Sequence, residues 1–195
     1  MVIDKIVTRC DWANSTELEM EYHDKEWGVP IHDDRLLFEF LILEISQAGL
    51  NWLTILKKRE GYREAFDNFD ANKISKYSND KIEELFLNPN IVRNKSKIIA
   101  SIENAKKFLE IQKGYGSFDT YIWSFVGGST IETSWEDVSE IPTRTPGSDF
   151  MSRTLKKKGF KFLGSTTCYA YMQAVGMING HIKNCFRYSE IKNNY

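Results

Sequence analysis

The chain of 195 residues predicts an all-α fold, and three observations carry that expectation. Glycine and proline number only 12 and 4, so few residues are available to break helices. Apolar residues recur at helical spacing over long windows, most clearly after Asp34. Strand signals are scarce: "YIWSFVGG", Tyr121 to Gly128, has strand-like composition, but Trp and Phe also fill buried helices. With 42% hydrophobic and 13% aromatic residues the chain can bury a large core, and one compact unit over 1–195 is expected.

The strongest helix begins near Asp34 and is expected to run into the fifties. Within "DDRLLFEFLILEISQAGLNW", Leu37, Phe40, Leu41, Ile45 and Ala48 form a stripe on one helical face. Further helices are expected at 62–68, 80–88, 94–112, 148–158 and 166–178. Gly114 and Gly159 stand where a left-handed residue closes a helix, and Ser148 and Asn79 or Asp80 are placed to cap helix starts. Between two of these helices, Pro89 ends one and Asn90, Ile91 and Val92 turn into the next, led by Arg93, Asn94, Lys95 and Ser96. This resembles a helix-hairpin-helix element over about 82–110, which holds DNA phosphates through turn amides and a helix N-terminus without reading bases. Pro-marked turns are common in helical proteins, so the motif by itself decides little.

Charge is distributed unevenly. The net value of −1 argues against a nucleic-acid partner until the charges are placed. From Phe150 to Ser189 there is no Asp or Glu, while Arg153, Lys156, Lys157, Lys158, Lys161, Lys183 and Arg187 give +7. The segment is either a phosphate-binding face or a solvated helix face. Three widely spaced cysteines, Cys10, Cys168 and Cys185, argue against a disulfide framework and for a reducing compartment. No apolar run approaches the roughly 20 residues of a membrane span, and "MVIDKIVTRC" lacks the apolar centre of a signal peptide, so a cytoplasmic location is expected.

Three sets of residues have the chemistry of a site. Glu44 falls on the apolar stripe; a buried carboxylate costs several kcal/mol unless it is paired, protonated or faces a polar cavity. It is either a recognition group or a core glutamate satisfied by a buried partner, and both readings stay open. Glu39, one turn earlier and off the stripe, is expected to face solvent. Near Glu44 in sequence stand Tyr22, Trp27 and Trp52, with Trp12; such rings either fill a core or flank a slot for a flat heterocycle. Finally, His181 and Cys185 in "GHIKNC" lie at i and i+4, within reach of one metal ion, but a tetrahedral zinc needs two more ligands. Cys10 and His23, at the other end of the chain, are the only comparable pair. Cys168, inside an apolar helix, is expected to be a buried thiol and no ligand.

Together these residues resemble the 3-methyladenine DNA glycosylase I family of the helix-hairpin-helix glycosylase superfamily. The likeness runs through "RCDW", "EYHDKEWGVP", "FEFLILEISQAGLNWLTILKKREGYREAF", "NIVRNKSKI", "WSFV", "EIPT", "LKKKGFKFLGSTTCYAYMQA" and "GHIKNC". It implies an all-α fold with a structural zinc tying the chain ends through Cys10, His23, His181 and Cys185. It also implies a base pocket formed by Tyr22, Trp27 and Trp52, in which Glu44 contacts the adenine edge, and it nominates no catalytic aspartate. Departures fall at Glu19, where a Tyr is common, at Ala170, where a small polar residue is common, and at Asn90, where the hairpin turn often has Gly. The first two bear on the pocket wall; Asn at a turn tolerates left-handed backbone.

The expected activity is hydrolytic release of 3-methyladenine from alkylated double-stranded DNA by a monomer, leaving an abasic site. Phosphate contacts are expected from Arg93, Lys95, Lys156, Lys157, Lys158 and Lys161. A zinc-stabilised helix-hairpin-helix module that binds DNA without catalysis is the principal rival. An interaction protein with its Cys and His apart and Glu44 paired in the core is the other.

Overall fold

The computed structural model describes residues 7–194. Its elements are predominantly helical, and the reason begins with one central helix. Asp33 caps it, its Oδ1 accepting from Leu36 N at 2.8 Å, and α2 then runs Asp34–Gln47. Every residue from Leu37 to Ser46 is buried, so the expected one-sided stripe is instead a helix enclosed on all faces. Helices α3 (Trp52–Ala65), α6 (Lys95–Tyr115) and α9 (Ser165–Ala174) pack on this region, and α1 (Glu17–Lys25) meets it where the Tyr22 and Phe40 rings lie 6.4 Å apart.

The helix from Asp34 does not continue into the fifties. Ala48 leaves helical geometry, Gly49 takes φ +81°, and Asn51 caps α3 through Oδ1 and Thr54 N at 2.9 Å. "AGLN" is thus a glycine stop followed by an N-cap, a signal that outweighs the helical run of apolar residues. Nor is 62–68 one helix. After Ala65, residues Asp67, Asn68 and Phe69 have φ of 49°, 52° and 58°, geometry that costs about 1–2 kcal/mol per residue. Burial of Phe66 and Phe69, with rings 8° from parallel, and Tyr77 Oη donating to Asp67 Oδ2 at 2.6 Å offset that strain.

Helix α4 (Ala71–Ile74) leads to α5 (Asn79–Leu87), which is capped by Ser78 instead of Asn79 or Asp80. α6 passes through Gly114 and closes at Gly116, φ +88°. α7 (Phe118–Trp123) and a following 3-10 turn occupy most of "YIWSFVGG", so that segment is no strand. α8 (Pro146–Lys157) starts at Thr145, with Ser148 completing a capping box three residues in, and Gly159, φ +96°, follows its end as expected. α9 stops at Ala174 because Gly176, φ +76°, lies against the backbone of Val29 and Pro30; a Cβ there would sit 2.4 Å from Pro30 N. Beyond it β2 (Ile178–Asn179) pairs in parallel with β1 (Ile131–Glu132), and α10 (Phe186–Asn194) ends the described chain. These two short strands are the exception to an all-α description.

Glu39 corrects another expectation. It is fully buried, its Oε1 accepting from Arg59 Nε at 2.7 Å and Arg63 Nη2 at 2.8 Å, because α2 has no solvent face there. Cys168 is a buried free thiol in α9, pushed up to about 12 chiefly by burial. Among the described residues no helix is long and apolar enough to cross a membrane.

Candidate active site and metal centre

Glu44 is 5% exposed and sits on the last turns of α2, where it lines a cavity of about 160 Å³. Its Oε2 has no hydrogen-bond partner, and burial alone raises its carboxyl to about 8. Of the options open to a carboxyl on that helix, protonation and a facing cavity hold; a satisfying core partner does not. Trp12, Tyr22, Trp27 and Trp52 form the walls, so the four aromatics share one pocket. Tyr22 and Trp52 rings lie 5.3 Å apart at 46°, and Trp12 meets Trp27 edge-on at 5.1 Å. Trp52 Nε1 is buried without a partner. Burial, and then the nearby Glu44, hold the Tyr22 hydroxyl well above its ordinary value, so it stays protonated.

Gln47 and Gln173 complete the lining and were not singled out from sequence. Gln173 carried the same signal as Glu44, a polar side chain within an apolar helix. Ala170 does line the pocket, whereas Glu19 does not: its Oε2 accepts from Thr16 Oγ1 at 2.9 Å at the start of α1. A second cavity of about 210 Å³ shares Glu44, Gln47 and Ala170 and extends past Gly49, Leu50, Thr166 and Thr167. Lys97 supports its rim. This buried lysine donates to the carbonyls of Ser46 at 2.9 Å and Ala48 at 2.6 Å, occupying acceptors left open where α2 ends.

At the other side of the walls, one ligand atom each from Cys10, His23, His181 and Cys185 lie within 4.8 Å of one another, all buried. The donor set fits a cation. Cys185 Sγ stands 3.4 Å from His23 Nε2 and 3.5 Å from His181 Nδ1, and Cys10 Sγ stands 3.7 Å from His181 Nδ1. The remaining ring nitrogens have outer partners: His23 Nδ1 is 2.8 Å from Asp24 Oδ1, and His181 Nε2 is 3.1 Å from the Trp27 carbonyl. Asp24 is itself gripped by Arg9 at 2.7 Å. A hydrogen bond from Cys10, followed by those from the two histidines, holds the Cys185 thiol far below its ordinary value, while Cys10 is raised. A cation held by both sulfurs would remove that inequality, as metal binding favours thiolates.

The candidate phosphate contacts separate into engaged and free groups. Lys95 pairs with Glu83, and Lys158 lies over the rings of Tyr115 and Tyr121 with its Nζ 3.3 Å from Tyr115 Oη. Arg93, Lys156, Lys157 and Lys161 are exposed and have no ion pair among the described residues. Lys183 and Arg187 pair with Glu136 and Glu190, so part of the +7 is compensated. In the turn between α5 and α6, Asn90 N donates to Asn88 Oδ1 at 2.8 Å and Val92 N to Tyr62 Oη of α3 at 3.2 Å, while the amides of Ile91 and Arg93 have no partner among the described residues. It packs tightly on α3, where a Cβ on Gly61 would lie 2.5 Å from Asn90 O; Asn90 itself is not left-handed. In the turn between α8 and α9, the amides of Phe162, Leu163 and Gly164 have no partner among the described residues.

An aromatic slot that includes an acid, together with a basic turn with open amides, has the chemistry of a protein that holds a flat heterocycle. The chain belongs to the methyladenine glycosylase family, whose model matches residues 12–188. It is 44% identical over 180 residues to the DNA-3-methyladenine glycosylase of Haemophilus influenzae, covering 92% of this chain and 97% of that one. DNA-3-methyladenine glycosylase 1 of Escherichia coli K12 is also 44% identical, with 92% and 96% covered. Among solved structures, a crystal structure of 3-methyladenine DNA glycosylase I superposes with a TM-score of 0.89 at 47% identity, covering 92% of this chain and 98% of that chain. The Staphylococcus aureus enzyme, solved to explain 3-methyladenine recognition, gives 0.88 at 38% identity, covering 91% and 95%.

Proposed function

We propose that this chain is a DNA repair glycosylase that excises 3-methyladenine from alkylated DNA, cleaving the N-glycosidic bond with water and leaving an abasic site. The observation that carries the reading is a pair of unpartnered buried groups on residues that line the aromatic pocket, Glu44 Oε2 and Trp52 Nε1. An acceptor and a donor buried without partners are costly unless a ligand with polar edges satisfies them. The full-length relatives named for this activity support the same conclusion.

Adenine alkylated at N3 carries positive charge while joined to deoxyribose and leaves as a neutral base, so the bond needs little acid assistance. The protein's work is to extrude the nucleotide, hold the base between Tyr22, Trp27 and Trp52, and favour the cationic form at Glu44. In the free protein Glu44 is largely protonated at neutral pH, since its carboxyl titrates at about 8. A cationic base beside Oε2 favours the carboxylate, so lesion binding releases a proton. Unmodified adenine is neutral and draws no such response.

In this reading one glycosylase domain spans the chain and acts as a monomer on double-stranded DNA. A single zinc ion is held by Cys10 Sγ, His23 Nε2, His181 Nδ1 and Cys185 Sγ; with four protein ligands its contribution is structural, joining the chain ends. Phosphates are met by Arg93 in the turn between α5 and α6, where the sequence suggests the helix-hairpin-helix element, and by Lys156, Lys157 and Lys161 around the turn between α8 and α9. Lys95 and Lys158 reach them only by leaving Glu83 and Tyr115. A non-catalytic DNA-binding module has no use for a desolvated acid under an aromatic slot. Release of free methylated bases from alkylated duplex DNA tests the proposal: folded, zinc-loaded protein that frees no 3-methyladenine overturns it in favour of that module.

A further inference from the structure

We propose that the metal centre also sets the wall of the base pocket, with His181 as the positioning residue that links them. The inference rests on the zinc and base-binding reading above and adds a connection between the two sites. His181 presents Nδ1 to the sulfurs of Cys10 and Cys185 and Nε2 to the Trp27 carbonyl at 3.1 Å. With Nδ1 on a cation, the neutral ring carries its proton on Nε2 and donates it to that carbonyl, so ligation fixes both tautomer and ring orientation. The Trp27 ring stands 4.6 Å from the His181 ring at 75° and is itself a pocket wall.

The packing around this contact leaves little slack. A Cβ on Gly28 would stand 2.9 Å from His181 Nε2, and one on Gly180 would stand 2.7 Å from Gln173 Nε2 and 3.1 Å from Trp27 Cη2. Both glycines therefore let His181, Trp27 and Gln173 approach more closely than side chains allow, and a displaced imidazole has to displace the wall. Trp12 and Tyr22 are tied to the same centre along the chain, Trp12 following Cys10 closely and Tyr22 directly preceding His23. Glu44 and Trp52 have no such tie; they stand on α2 and α3. Metal and base thus act on one shared segment, Tyr22 to Gly28, and the effect of each on the other is reciprocal.

The test uses the folded, metal-loaded protein with zinc exchanged for cadmium and titrated with free 3-methyladenine, followed by tryptophan fluorescence and by cadmium NMR. The cadmium resonance is expected to move along the same saturation curve as the fluorescence. In addition, His181→Cys, which retains a ligand but lacks the donor to Trp27, is expected to bind the base at least about fivefold more weakly. Fluorescence that saturates while the cadmium resonance stays fixed overturns the coupling. A metal-loaded His181→Cys protein with unchanged base affinity overturns it as well; if that variant loses its metal, the wild-type cadmium titration decides alone. Protein showing no base binding by fluorescence fails in a different way, by removing the functional reading beneath the inference.

Discussion

The floor of the pocket and its outer walls are built by opposite means. Glu44 stands on α2, whose residues from Leu37 to Ser46 are all buried, and the wall residue Trp52 stands on α3 just beyond the short turn that follows. The other wall residues stand on N-terminal structure, Trp12 on a 3-10 turn, Tyr22 on α1 and Trp27 just past its end, close in sequence to Cys10 and His23, which meet His181 and Cys185 from the other end of the chain. The floor is rigid because α2 is buried on every side, and it bears the desolvation of an acid. Of the walls only Tyr22 belongs to the core, Trp12 and Trp27 pack against its edge, and the group of Cys10, His23, His181 and Cys185 joins the two chain ends beside them. A pocket built in this way can lose its walls and keep its floor.

The largest effect is expected where closure is broken. Cys185→Ala combined with His181→Ala should abolish metal binding and lower stability by about 3–5 kcal/mol, the scale of a cross-link closing most of a chain. Elemental analysis and thermal melting check this, and metal content that survives the double substitution removes the ligand assignment. Base excision should fall to background on the same samples.

Glu44→Gln breaks the floor without disturbing the walls. Excision of 3-methyladenine should fall by an amount equivalent to about 1–3 kcal/mol, the value of a charge-assisted hydrogen bond, while zinc content stays at wild-type level. Stability should move in the opposite direction. The folded carboxyl at about 8 lies above its ordinary 4.5, so the folded state binds the extra proton and wild-type stability falls as pH rises from about 4.5 to about 8. Glutamine has no such penalty. The variant should therefore gain on wild type across that window, by an amount on the order of a few kcal/mol at its upper end, and melting curves showing no pH-dependent difference would contradict the buried, unpaired acid.

The same titration gives a smaller kinetic effect. Because binding a cationic base releases the Glu44 proton, kcat/KM for the lesion should rise with pH and level off near about 8. Glu44→Gln should flatten that limb; an equally steep limb in the variant would assign it elsewhere.

Smallest per residue are the phosphate contacts. Neutralising Lys156, Lys157 or Lys161 should each lower the magnitude of the log-log salt slope for DNA binding by about one without altering lesion preference. Neutralising Lys95, already paired with Glu83, should change it less. An unchanged slope after all three substitutions would place that face away from DNA.

By itself the sequence determined the helical class, the glycine that follows α8 at Gly159 and the buried position of Glu44, because periodicity, helix-closing residues and apolar context act over a few residues. The i, i+4 pair His181 and Cys185 was visible for the same reason, and the family likeness joined it to Cys10 and His23. Local signals also misled. Glu39 fell off the apparent stripe yet is buried, since Arg59 and Arg63 arrive from α3; the helix after Asp34 stops at Gln47, two residues before the left-handed Gly49, despite a continuing apolar pattern. Only the tertiary structure decided that Glu44 lacks a partner, that Gln47 and Gln173 reach the base pocket, that Lys97 closes the end of α2, and that His181 touches the wall through the Trp27 carbonyl. Each of these is a meeting between distant segments, and such meetings are set by how helices pack, which no short window of sequence contains.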